Sequence, residues 1–219
     1  MSSFYANKNI NDTTPSSMVS LSFTPSQNSQ KTINQSIRKE VSTQWYPMRI
    51  TYHREMKIKA LLDEMGIENF LPMHWEMVET KNGGKKRMLL PAIHNLLFIK
   101  STQEFLTELK MNRIEFAPLR YMMKRSLSSG EKNEIIVVPD RQMENFMKVA
   151  SIQDDRVMYL ENNDFINKVG QRVKVTDGYF AGVEGVIKRI NKNKRIVVQL
   201  EGVAAVAIAF VPANQLSLI

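Results

Sequence analysis

At 219 residues the chain holds one large domain or two modest ones, and a 43% hydrophobic content is enough to bury a core. It has no cysteine, which removes disulfide scaffolds, thiol nucleophiles and zinc sites that need thiolate ligands. The longest apolar run, Val203 to Pro212, is too short for a membrane span, and no secretory signal is evident, so a soluble cytoplasmic protein without a membrane partner is expected.

Thirty Lys and Arg against 22 Asp and Glu leave a net charge of +8, which suits a polyanionic partner. A charge of this size also serves solubility alone. The excess per residue is greatest over 169–219, where seven basic groups face three acidic ones.

Residues 1–43 contain ten Ser, five Thr, five Asn and three Gln, with apolar residues scattered without period. Such a segment buries too little to offset its ordering entropy and reads as a disordered tail. From 44 to 160 strand and helix patterns alternate. Trp45 to Thr51 is strand-like; His53 to Met65 is helical, with an apolar set of Met56, Ala60, Leu61 and Met65 and a stop at Gly66. Phe70 to Thr80 and Lys85 to Leu90 flank Asn82-Gly83-Gly84 as a hairpin. Leu96-Leu97-Phe98-Ile99 reads as a central strand.

Ser101 to Glu104 has capping-box spacing and opens a helix ending near Lys110. Ile135 to Val138 is a further strand. Pro139-Asp140 starts a helix with Met143, Phe146 and Met147 on one side, ending near Ala150. The order predicts an α+β fold, an antiparallel sheet with packed helices. Polar Glu161 to Lys168 is a linker. Over 169–219 short alternating strands, with turns at Asp177-Gly178, Asn191 to Lys194 and Glu201-Gly202, predict a small closed all-β barrel.

Catalysis has no support. His53, His74 and His94 lack metal-site spacing, and Gly178 to Gly185 lacks the Gly-Lys-Ser/Thr ending of a phosphate loop. Neither an enzyme nor a cofactor is expected.

The stretch Gly170-Gln171-Arg172-Val173-Lys174-Val175, followed by Asp177-Gly178, Phe180, Gly182 and Gly185-Val186-Ile187, resembles the KOW motif of SH3-like barrels. Gly178 suits the turn, Gly182 and Gly185 suit close backbone passage, and Phe180 suits a barrel end. Upstream, the Trp45-Tyr46 strand, the helix, Phe70-Leu71-Pro72, the Asn82 to Arg87 hairpin and Leu97-Phe98-Ile99 resemble in order the N-terminal (NGN) domain of the NusG family. One stretch departs: Pro91-Ala92-Ile93-His94-Asn95 is two residues longer than the family pattern and lacks its Tyr. Ile136 to Met143 is similar to the specialised UpxY-type paralogs of surface (capsular) polysaccharide operons.

The resemblance implies a transcription antitermination or elongation factor. Its N-terminal domain would bind the clamp helices of the largest RNA polymerase subunit, suppressing pausing or termination. By position it assigns polymerase binding to Leu96 and Phe98, with Tyr46 as a neighbour, on a half-exposed apolar sheet face; the other reading places them in the core. It assigns contact with the non-template DNA strand to the start of the first helix. There His53, Arg54 and Lys57 have spacing to share a face and Tyr52 has a stackable ring, although a solvated face fits equally. Lys85, Lys86 and Arg87 form a basic hairpin arm. Family barrels recruit a ribosomal protein or Rho. The competing reading is a ribosome-associated or RNA-binding KOW protein without polymerase contact.

Overall fold

The computed structural model describes residues 42–81, 83–124, 133–152, 156–160, 170–190, 192–209 and 211–219. The expected tail, apart from Ser42 and Thr43, and the expected linker 161–168 lie outside the described residues. No described helix is long and apolar enough to cross a membrane.

Strand β1 (Gln44–Ile50) lies inside a four-stranded antiparallel sheet with β2 (Asn69–Phe70), β5 (Leu96–Ser101) and β6 (Leu119–Tyr121), in the order β2-β5-β1-β6. Register pairs Tyr46 with Ile99 and Met48 with Leu97, which sets these side chains on one face. Helices α1 (Glu55–Glu64) and α2 (Gln103–Asn112) cover that face with Ile58, Leu62, Leu106 and Leu109. Trp45, Leu96 and Phe98 occupy the other face, under Met143, Phe146 and Val149 of α3 (Asp140–Ala150). Strands β3 (Met73–Glu79) and β4 (Lys85–Pro91) form a separate two-stranded ribbon, as do β7 (Met123–Lys124) and β8 (Glu134–Ile135).

Several local expectations shift. Helix α1 starts at Glu55 because Tyr52 and His53 adopt left-handed backbone, and its inward face is Ile58 and Leu62, while Met56 is exposed. Phe70 to Thr80 breaks at Leu71-Pro72, where the chain leaves the main sheet for the ribbon. The α2 cap is Thr102, whose Oγ1 accepts from the Phe105 N–H; Ser101 still belongs to β5, so the expected box is offset by one. Of Ile135 to Val138, only Ile135 sits in a strand, while Val138 makes a single bridge to Trp45.

The C-terminal sheet contains β9 (Val157–Leu160), β10 (Gln171–Val175), β11 (Glu184–Ile190), β12 (Asn193–Leu200), β13 (Ala204–Ile208) and β14 (Leu216–Leu218), in the order β14-β10-β11-β12-β13-β9. Among the described residues no ladder joins the two edges, so hydrogen bonding leaves open the ring expected to close. The added edge strand β9 (Val157–Leu160) comes from the segment expected to end the first domain. Its Met158 and Leu160 pack on Val197, Ala205 and Ala207 and cover the small side chains of β13. At Gly185 a Cβ would stand 2.7 Å from Ile196 Cγ2, so the close approach is real there; Gly182 is needed for its φ of +86°.

Helix α3 joins the two sheets. Its apolar face lies in one cluster with Val173, Phe180, Val198 and Val206. At its ends Arg141 pairs with Glu184 at 2.6 Å and the Lys148 ammonium donates to the Ala181 carbonyl. The Tyr159 hydroxyl donates to the Ala150 carbonyl at 2.8 Å. Residues 42–219 therefore form one compact unit.

Phe98→Ala is expected to destabilise the protein by about 3–5 kcal/mol, as for other buried phenylalanines, read from the urea midpoint. Burial pushes the Tyr159 hydroxyl up to about 12 from 10.0. Its neutral form is favoured on folding, so this stabilisation is complete below pH 10 and is lost as pH rises through 12. Unfolding followed between pH 9 and 12 should show a loss that Tyr159→Phe diminishes.

Candidate nucleic-acid interface

The turn from β1 into α1 builds an exposed corner. The Ile50 N–H donates to the Asn95 carbonyl at 3.0 Å and the Thr51 N–H to the Pro118 carbonyl at 3.3 Å, which anchors the end of the strand. Tyr52 and His53 then follow with φ of 68° and 50°. Left-handed backbone at a residue with a Cβ is held only by firm surroundings, at a cost of about 1–3 kcal/mol each. The reversal leaves Tyr52 80% exposed, with His53, Arg54 and Lys57 also exposed.

Glu55 fixes the corner from below. It is buried, and its Oε1 accepts the Asn95 N–H at 2.8 Å, tying the start of α1 to the β4–β5 loop. Asn95 is itself left-handed, with φ of 61°. The same loop carries His94, whose ring meets that of His53 edge-on at 6.3 Å. The Arg54 guanidinium lies 5.8 Å from the Tyr52 ring centre. Among the described residues no ion pair links His53, Arg54 or Lys57 to a carboxylate.

Arg54 occupies the N-cap of α1, and no side chain caps that end. The helix dipole therefore adds positive potential beside Arg54 and Lys57. Exposed rings, two exposed cations and an open helix start can hold a phosphate backbone and stack its bases.

All four residues assigned to nucleic acid thus meet at one corner. His53, however, precedes the helix, so it does not share a helical face with Lys57. His94 was missed: it lies in the longer Pro91 to Asn95 stretch, and sequence spacing alone does not bring that loop to α1.

The three residues assigned to polymerase are placed differently. Tyr46, Leu96 and Phe98 are all buried. Tyr46 lies on the α1–α2 face, edge-on to Tyr121 at 6.0 Å, and its hydroxyl donates to Gln44 Oε1 at 3.1 Å. Burial, then the neighbouring Tyr121 and Glu104, raises its hydroxyl pKa. Leu96 and Phe98 lie on the opposite face, with the Phe98 ring 5.5 Å from that of Phe146. The half-exposed apolar face expected of this strand is absent from this arrangement, because helices cover both sides of the sheet. Alternation shows that β5 has two faces, but not that both are occupied.

Glu55→Ala should leave the Asn95 N–H without its acceptor and free the loop. The expected loss is about 1–3 kcal/mol, with faster amide exchange at Asn95 as the local readout.

Residues 43–147 match the family model described as transcription termination factor nusG. The match runs from just before β1 into α3 and contains the whole corner; the C-terminal sheet lies beyond it. No curated protein matches the chain.

Proposed function

We propose that this protein is a non-enzymatic transcription antitermination factor of the NusG family that rides on RNA polymerase and touches the displaced non-template DNA strand. The observation that carries the reading is the exposed Tyr52-His53-Arg54-Lys57 corner inside the family-matched segment. Arg54 and Lys57 would neutralise phosphates while Tyr52 stacks on an unpaired base. The similarity of Ile136 to Met143 to UpxY-type paralogs points to surface-polysaccharide operons as targets.

Polymerase contact is proposed through the clamp helices of the largest subunit. Use of Leu96 and Phe98 for it requires α3 and the C-terminal sheet to lift from the sheet face they cover, since both side chains are buried. Once free, the C-terminal sheet is the element proposed to recruit a ribosomal protein or Rho. The second reading, an RNA-binding or ribosome-associated protein, draws on the exposed Lys192 and Lys194 at the β11–β12 turn. Purification from the host separates the two: polymerase co-purifies under the first reading and ribosomal particles under the second.

Arg54→Ala with Lys57→Ala should weaken recruitment to a paused elongation complex carrying an unpaired non-template strand. For two lost phosphate contacts the slope of log affinity against log salt should fall by about 1.4. An unaltered slope would remove the corner from DNA binding.

A further inference from the structure

The β3–β4 ribbon stands outside the main sheet and carries large apolar side chains in solvent. Trp75 is 42% exposed and Met77 57%. A lone two-stranded ribbon is only marginally stable, so exposed apolar area on one needs an explanation. Register supplies the pattern: Trp75 lies opposite Leu89, Met77 opposite Arg87 and Glu79 opposite Lys85. These side chains share one face, with Glu79 as its sole acid among the strand residues. The Arg87 guanidinium lies over the Trp75 ring, 5.0 Å from its centre. The other face is mixed, with Lys86 near Met88 and Glu76, and Glu76 3.5 Å from His74.

We propose that the Trp75 face of this ribbon is a second nucleic-acid site, which takes a single DNA strand by stacking a base on Trp75 and setting its phosphates against Arg87 and Lys85. The chemistry is that of single-strand binding: an exposed aromatic ring beside cations on one strand face, with no base-edge reader required. A duplex fits poorly, because its bases offer no open face to the indole. The choice of DNA over RNA follows from the side chains. Met77 and Leu89 flank the ring with apolar surface suited to deoxyribose and the thymine methyl. An acidic protein segment would use the same cations, but would leave the indole face without a stacking partner.

The site is separate from the Tyr52 corner and does not rest on polymerase binding. Its signal is also separable. Of the two tryptophans Trp45 is buried, so emission changes on titration report Trp75.

The test titrates the full chain with a deoxythymidine oligomer of about 16 nucleotides, following tryptophan emission and, with a labelled oligomer, anisotropy. The expected result is quenching that persists in the Arg54→Ala, Lys57→Ala double variant. By anisotropy, Trp75→Ala should weaken binding about tenfold, while Trp75→Phe, which keeps a ring, retains most of it. Arg87→Ala should lower the salt slope by about 0.7. Absence of quenching, unchanged affinity in Trp75→Ala, tighter binding of the matching ribo-oligomer, or quenching by an oligoglutamate peptide in place of DNA would each overturn the proposal.

Discussion

Three phenylalanine rings, Phe70 of β2, Phe98 of β5 and Phe146 of α3, meet where the sheet and its last helix join. Phe98 and Phe146 are 5.5 Å apart, and Phe70 lies 6.4 Å from each. Aromatic groups at these separations bring large buried area together with favourable ring geometry. The contact holds α3 against the sheet, and α3 in turn carries the C-terminal sheet on its remaining apolar surface. The polar links around it weigh less. Arg141 is mostly exposed, so its pair with Glu184 contributes about 1 kcal/mol or less.

This joint governs which surfaces are available. With α3 and the C-terminal sheet in place, β5 is covered on both sides and the apolar face that would meet a helical partner is occupied internally. Strand β9 strengthens the arrangement, because it leaves the end of α3 and hydrogen-bonds along β13, while Tyr159 returns a bond to Ala150. The chain between the modules is thus partly sheet. Lifting α3 together with the C-terminal sheet would break the apolar joint and leave that ladder intact.

The corner and the ribbon solve a different problem, that of keeping rings and cations in solvent. At the corner, left-handed residues turn the side chains outward, and the buried Glu55 carboxylate holds the loop that stabilises the turn. On the ribbon, strand pairing aligns Trp75, Met77 and Arg87 on one face, and the indole–guanidinium contact limits their freedom. In both, backbone geometry sets the direction of the side chains before binding, which lowers the entropy lost on binding.

The amino-acid order by itself determined the succession of strands and helices, the hairpin at Gly83-Gly84, the C-terminal run of short strands and the basic-aromatic character of 52–57. Each of these is local: periodicity, turn chemistry and charge act over a few residues. Tertiary structure alone decided the rest. Leu96 and Phe98 have the pattern of a sheet face in any environment, and only the packing of α3 makes them core. The Val157–Leu160 strand is too short for periodicity to reveal, and it exists because β13 offers it an edge. His94 reaches His53 through a loop–helix contact that no spacing rule contains. A sequence states that a face is apolar, but what covers it is a property of contacts between residues far apart along the chain.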